Sequence, residues 1–185
     1  MEHPALDAAT QGFKDALTEK LGAENVSFDE QNAQAEVANC ATIANSLVSE
    51  GVDLILANAT PPLQAAHSAT SDIPILGTSV TDYASALEID DWSGATGLNI
   101  SGTSDLAPLD GQAEMLAELF PVAEYPNVGV IYCSAEANSV YQATAIRGYL
   151  EDLGYAVEEY TFADSNDIAS GVQGACDASD VLYIP

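Results

Sequence analysis

Four apolar runs in this chain each break off into a short cluster of Ser, Thr, Asn and Asp: Leu54-Ile-Leu-Ala-Asn-Ala-Thr60, Pro74-Ile-Leu-Gly-Thr-Ser-Val-Thr-Asp82, Leu98-Asn-Ile-Ser-Gly-Thr103 and Val128-Gly-Val-Ile-Tyr-Cys-Ser134. Apolar runs this continuous are what strands buried on both faces require, and three of the four clusters lead straight into a helical pattern. The chain is therefore expected to form α/β structure, with parallel sheets carrying helices on both faces. In such open sheets ligands sit outside the carboxyl ends of the strands, so the polar clusters are where function is sought.

The intervening segments support that class. Leu6, Ala9, Phe13, Leu17 and Leu21 recur at helical spacing between Pro4 and Gly22. A strand over 26–29 follows, then a helix over 33–50 stopped by Gly51, a strand over 52–57, and a helix over 60–70 with Thr60 as N-cap and Pro61 at its first position. A strand over 73–77, a short helix over 83–87, a turn over 90–94 and a strand over 96–100 come next. From Asp105 the rhythm restarts, with a helix through Leu109, Ala113, Leu116 and Phe120 that Asp105 would cap. Strands over 128–132, 157–162 and 181–184 alternate with helices beginning near Ala137 and Ser165. The Gly- and Ser-rich passage over 93–104 reads as a crossover between two similar Rossmann-like lobes, 1–101 and 102–185. The chain opens directly into a helix and stops on a strand, as a domain truncated at both ends would, with a first strand missing.

Charge narrows the partners. Three Lys and Arg against 29 Asp and Glu give a formal net charge of −26 with no basic patch, which disfavours nucleic acid and anionic lipid. Lys14, Lys20 and Arg147 are the only cations and all fall on expected helices. A carboxylate on a ligand would have to be held by hydroxyls, backbone N–H groups and helix N-termini. No GxGxxG, GxxxxGK[ST] or GxSxG pattern is present, so dinucleotide, P-loop and serine-hydrolase chemistry lose support and no cofactor is indicated. Cys40, Cys133 and Cys176 have neither CxxC spacing nor a histidine at metal-ligand distance, so neither a metal site nor a disulfide framework is expected. Cys40 and Cys176 fall on apolar helix faces, and His67 on a helix surface.

At the first strand end, Asn58, Ala59 and Thr60 join a strand to a helix start. Thr60 either captures a carboxylate with neighbouring N–H groups or merely caps its helix. At the second, Ser79, Thr81 and Asp82 surround a position suited to an ammonium, although Asp82 also fits an N-cap. Ser101, Gly102, Thr103 and Ser104 read as a hinge in which Gly102 permits unusual φ. Ser134, Glu136 and Asn138 face the site from the second lobe or cap the helix that follows. His3 lies at the first strand-to-helix junction, within reach of a ligand. Cys133, at a strand end, is placed for acid/base work, but a cofactor-independent racemase needs a second thiol and the matching strand end has none.

The strings His3-Pro-Ala-Leu-Asp7, Gly12-Phe13, Asn58-Ala-Thr-Pro61, Ile75-Leu-Gly-Thr-Ser-Val-Thr-Asp82 and Asn99-Ile-Ser-Gly-Thr-Ser-Asp105 resemble the ABC transporter substrate-binding family of the type I periplasmic-binding-protein fold, in the branch with members that bind tryptophan, phenylalanine or tyrosine. The resemblance runs over almost the whole chain. It implies two α/β lobes clamping a small zwitterion at their interface and a monomer that delivers an aromatic or other apolar amino acid to an ABC permease and its ATPase. It also implies an extracytoplasmic location, periplasmic or as a lipid-anchored lipoprotein. Carried over by position, it puts Asn58, Ala59, Thr60, Ser79 and Thr81 along the ligand from the first lobe, Ser134 and Asn138 from the second, with Glu2 and His3 also in reach. A racemase acting through Cys133 and the ligand-sensing domain of a regulator are the two rival readings.

Overall fold

The computed structural model describes residues 3–34, 36–163 and 167–185. The chain divides into two compact units, Met1–Leu106 and Ala107–Pro185. The division therefore falls beyond the boundary at residue 101 read from the sequence, because the last strand of the first unit continues to Ser104.

The first unit contains α1 (Pro4–Leu21), α2 (Val37–Glu50), β1 (Ile55–Asn58), α3 (Thr60–Ala69), β2 (Ile75–Val80), α4 (Tyr83–Ala86) and β3 (Ile100–Ser104). Its three strands are parallel in the order β1-β2-β3. Rows of the register explain the core: Ile55, Ile75 and Ile100 stand side by side, with Ala57, Gly77 and Gly102 in the next row on that face. That face packs against Leu63 and Ala66 of α3 and against Tyr83, Ala86 and Leu87. Ending α2 requires a left-handed residue, and Gly51 supplies it at φ 71° while donating its N–H to the Leu47 and Val48 carbonyls.

Two sequence expectations fail here. No strand forms over 26–29: among the described residues β1 pairs with β2 alone, and no ladder bond joins this segment to the sheet. Instead Lys14 donates to Glu30 at 2.6 Å and lies 5.8 Å from the centre of the Phe28 ring. The strand expected over 96–100 begins only at Ile100. Before it, side chains staple a turn: the Thr96 hydroxyl donates to the Ile100 carbonyl at 2.7 Å, and the Asn99 amide donates to the Ile73 carbonyl at 2.6 Å. Ser101 to Ser104 are strand. Gly102 is required by close approach, not by unusual φ, since a Cβ there would collide with the Tyr83 hydroxyl and the Gly77 carbonyl.

The second unit comprises α5 (Leu109–Leu119), β4 (Asn127–Cys133), α6 (Ala137–Asp152), β5 (Ala156–Phe162), α7 (Ile168–Ala178) and β6 (Val181–Tyr183), with parallel strand order β5-β4-β6. Val128 and Val130 of the central strand join Leu109, Ala113 and Leu116 of α5 and Ala143, Ile146 and Leu150 of α6 in one cluster. The alternate positions Gly129 and Ile131 are also buried, as a strand covered on both faces demands. Helix α5 starts at Leu109 with Pro108 as its N-cap, so Asp105 does not cap it; the Asp105 N–H extends the β2 ladder by donating to the Val80 carbonyl. In α7 the fully buried residue is Ala175, while Ile168 is 37% exposed and Cys176 is exposed. A stripe at i, i+4 and i+8 drifts off a 3.6-residue face, which is why Cys176 leaves the core that Cys40 enters.

Candidate functional site

The polar strand ends divide into groups already committed to the fold and groups with bonding capacity left. Asn58 belongs mainly to the first kind. Its amide donates to the Leu6 carbonyl at 2.7 Å and to the Thr10 hydroxyl at 2.9 Å, tying β1 to α1, while its Oδ1 is buried without a partner among the described residues. Ala59 has both backbone groups engaged, donating to the Thr78 carbonyl at 2.9 Å and accepting from the Leu63 N–H at 3.2 Å. It does so at φ 93° and ψ 165°, a region that glycine occupies almost alone.

Ala59, and not Thr60, is the N-cap of α3; Thr60 is the first helical residue and its hydroxyl makes no capping bond. Thr60 is only 4% exposed, and among the described residues its hydroxyl has no hydrogen bond. The N-terminus of α3 is poor in donors. Pro61 and Pro62 have no N–H and that of Leu63 is spent on Ala59, which leaves the Thr60 N–H alone in the first turn.

At the end of β2 the register slips: Gly77 pairs with Gly102 but Val80 with Ser104, so one extra residue is accommodated on β2. Ser79 lies in this bulge at φ 54°. Bulges of this kind re-aim side chains at strand ends. The hydroxyls of Ser79 and Thr81 are half-buried and form no hydrogen bond among the described residues. Asp82 takes the structural alternative, its Oδ2 accepting the Ser85 N–H at 2.7 Å as N-cap of α4.

In the second unit, Ser134 is exposed and fastened to β5, donating both its N–H at 2.9 Å and its hydroxyl at 3.3 Å to the Phe162 carbonyl. Cys133 is half-buried, its Sγ 4.0 Å from the Ala163 carbonyl. Asn138 stands in the first turn of α6 with Oδ1 buried and without a partner among the described residues, and Glu136 is the N-cap of that helix without a side-chain capping bond. His3 is exposed and is the N-cap of α1 by its backbone alone, and Glu2 lies outside the described residues. His67, expected on the surface, is half-buried, its Nδ1 without a partner among the described residues. Sequence reasoning missed Ser139, which is buried next to Asn138 and continues the helical stripe Ser139, Ala143, Ile146, Leu150.

The second unit's single cation is unavailable to a ligand. Arg147 donates to Glu151 at 2.8 Å and to Glu159 at 3.0 Å, and these two carboxylates push its pKa up. Glu159 also accepts from the Tyr132 hydroxyl at 2.8 Å; that bond first, and Arg147 second, hold its carboxyl below the usual glutamate value. A cavity of about 420 Å³ in the first unit lies against Ala9 and Phe13 of α1 and reaches Thr78, Gly102 and Thr103, but not Thr60 or Ser79.

Parallel sheets between helices, with polar clusters at the carboxyl ends of the strands, are the architecture of type I periplasmic binding proteins. A leucine-binding protein of Thermotoga maritima shares it, with a TM-score of 0.68 at 18% identity over 92% of this chain and 49% of that one. Much nearer is an ABC domain from Streptococcus pneumonia solved in complex with L-Trp, at a TM-score of 0.92 and 32% identity over all of this chain and 62% of that one. A curated "Tyrosine-binding protein" of Clostridioides difficile is 38% identical over 187 aligned residues, and the chain spans about half its length, 53%. The chain belongs to the ABC transporter substrate binding protein family, which it matches over residues 1–185.

Proposed function

We propose that this chain serves an extracytoplasmic, monomeric receptor that captures an amino acid with an aromatic or other apolar side chain for an ABC permease and its ATPase. The observation that carries this reading is the set of unspent hydroxyls on Thr60, Ser79 and Thr81, next to the strained backbone of Ala59 and Ser79. Hydroxyls that the fold leaves without a protein partner keep their bonding capacity for a ligand. Family membership supports the class, and the relatives bound to L-Trp or named for tyrosine support the side chain. In the first unit Thr60, Ser79 and Thr81 are the candidate ligand contacts, with Asn58 and Asp82 holding the scaffold that presents them; in the second unit the candidates are Asn138 and the exposed Ser134.

The test is calorimetric titration of the complete mature protein with the amino acids. Micromolar or tighter binding confined to a few aromatic or apolar amino acids is expected. Thr60→Ala and Ser79→Ala should each weaken it by about tenfold or more, the value of a hydrogen bond to a charged group. Affinities within about threefold of the parent would remove both residues from the site.

A further inference from the structure

Asparagine followed two residues later by serine or threonine, with no proline between them, is the acceptor pattern for attachment of a glycan to the amide nitrogen in proteins outside the cytoplasm. The chain carries this pattern three times, as Asn25-Val-Ser27, Asn58-Ala-Thr60 and Asn99-Ile-Ser101. The pattern alone does not rank them. The chemistry of the transfer does, because the amide nitrogen has two N–H bonds, exchanges one of them for a bond to C1 of a sugar, and keeps one to donate.

At Asn58 both N–H bonds are taken inside the fold, by the Leu6 carbonyl at 2.7 Å and the Thr10 hydroxyl at 2.9 Å, and Oδ1 of the same amide is buried. A glycan there would break the tie between β1 and α1. At Asn99, which is half-buried, both N–H bonds hold the turn before β3, donating to the Ile73 carbonyl at 2.6 Å and the Thr70 carbonyl at 3.3 Å. Asn25 differs on each count. It and Ser27 are exposed, just past the end of α1. Val26 between them is extended, at φ −127° and ψ 141°, which sends the side chains two positions apart to one side. The Asn25 amide donates to the Leu21 carbonyl at 2.7 Å, an exposed bond, and its other contact, the Glu24 carboxylate at 3.5 Å, lies beyond an ordinary hydrogen bond. One N–H is therefore available for exchange while the other keeps its bond to Leu21. The Ser27 hydroxyl, the second element of the pattern, has no hydrogen bond among the described residues.

Resting on the extracytoplasmic placement in the receptor reading above, we propose that Asn25 is an N-glycosylation site and that Asn58 and Asn99 are not. The donor is a lipid-linked oligosaccharide and the catalyst an oligosaccharyltransferase. A bond forms between Asn25 Nδ2 and C1 of the first sugar, and the bond from C1 to the lipid phosphate oxygen breaks. Its electron pair leaves with the phosphate, and the amide proton passes to a base of the transferase. Asn58 is tied to Leu6 and Thr10 in the first two turns of α1 whereas Asn25 follows the last, so the glycan stands at the opposite end of that helix from the polar strand ends.

The experiment has two arms. In the first, the complete protein is purified from fractions of its own host and its peptides are read by mass spectrometry. Asn25 should carry a glycan, with Asn58 and Asn99 bare. Asn25→Gln and Ser27→Ala should each abolish the modification, and Ser27→Thr, which keeps the hydroxyl, should retain it. In the second, folded and unmodified complete protein is incubated with a lipid-linked oligosaccharide and a single-subunit oligosaccharyltransferase that requires only the three-residue pattern. Transfer should reach Asn25 in the folded protein, and Asn58 and Asn99 only once the chain is unfolded. A bare Asn25 in protein recovered from outside the cytoplasm overturns the proposal, as does transfer in the second arm that misses Asn25 or reaches Asn58 or Asn99 while the protein is folded. Recovery of the protein from the cytoplasm alone would instead overturn the extracytoplasmic reading, and this proposal with it.

Discussion

Ala59 sits at φ 93° and ψ 165° between a strand and a helix, a conformation that a side chain makes costly by about 1–3 kcal/mol. Glycine relieves that strain but adds freedom to the unfolded chain worth about 0.5–1 kcal/mol. Ala59→Gly should therefore raise the stability of the protein by about 1 kcal/mol in urea denaturation, with Ala59→Val lowering it. A loss of stability in the glycine variant would show that the strain is not there to be released. None of this is legible in the sequence, since alanine carries no signal for positive φ. Thr60, Ser79 and Thr81 are legible because hydroxyls ending an apolar run have no place in a sheet core. Asn58 and Asp82 look the same in the sequence, and only their bonds to Leu6, Thr10 and Ser85 separate them from the hydroxyls left without a protein partner.

At the scale of elements, Tyr83 of α4 is wedged beneath two glycines that face each other across β2 and β3, and its hydroxyl donates to the Thr103 carbonyl at 3.3 Å. Burial pushes that phenol's pKa up, and the wedge fixes how closely α4 meets the sheet. Gly102→Ala has no room for its Cβ against the Gly77 carbonyl and should cost about 2 kcal/mol of stability, measured by chemical denaturation. A neutral outcome would mean that β3 shifts freely at the sheet edge. In the other unit, Glu159 links β5 to Tyr132 of β4 and Arg147 of α6. Its folded pKa is lowered, so its contribution to stability is present above the ordinary value of 4.5 and is lost as pH falls through the lower folded value. The stability gap between the parent and Glu159→Gln should be open at pH 7 and close below pH 4.5; a gap independent of pH would exclude the carboxylate as its source. The partly exposed Arg147 to Glu151 pair on α6 adds little by comparison. The alternation that defines these elements is readable from apolar periodicity, and Gly51 and Pro4 end and begin helices as their chemistry requires. The start of β3 is not readable, because Thr96 and Asn99 turn an extended-looking run into a stapled turn.

Over the whole molecule, 29 acidic side chains face three basic ones, and Lys14 and Arg147 are already paired. Self-repulsion of this charge opposes the compact state and is screened by salt. The thermal midpoint should rise as NaCl is increased from about 0.05 to about 1 M at neutral pH, beyond the rise seen when sucrose replaces the salt. A flat response to salt would mean that the acidic surface costs the fold little. Composition and periodicity by themselves determined the α/β class and the parallel strands, because these depend on which residues are apolar and how they alternate. Tertiary structure alone decided that 26–29 forms no strand, that Ser101 to Ser104 are sheet, that Cys176 leaves the core and that Ser139 enters it. Each of those depends on what stands opposite a residue across the fold: a strand needs a neighbouring edge, a glycine a reason for close approach, and a hydroxyl a partner that is present or missing.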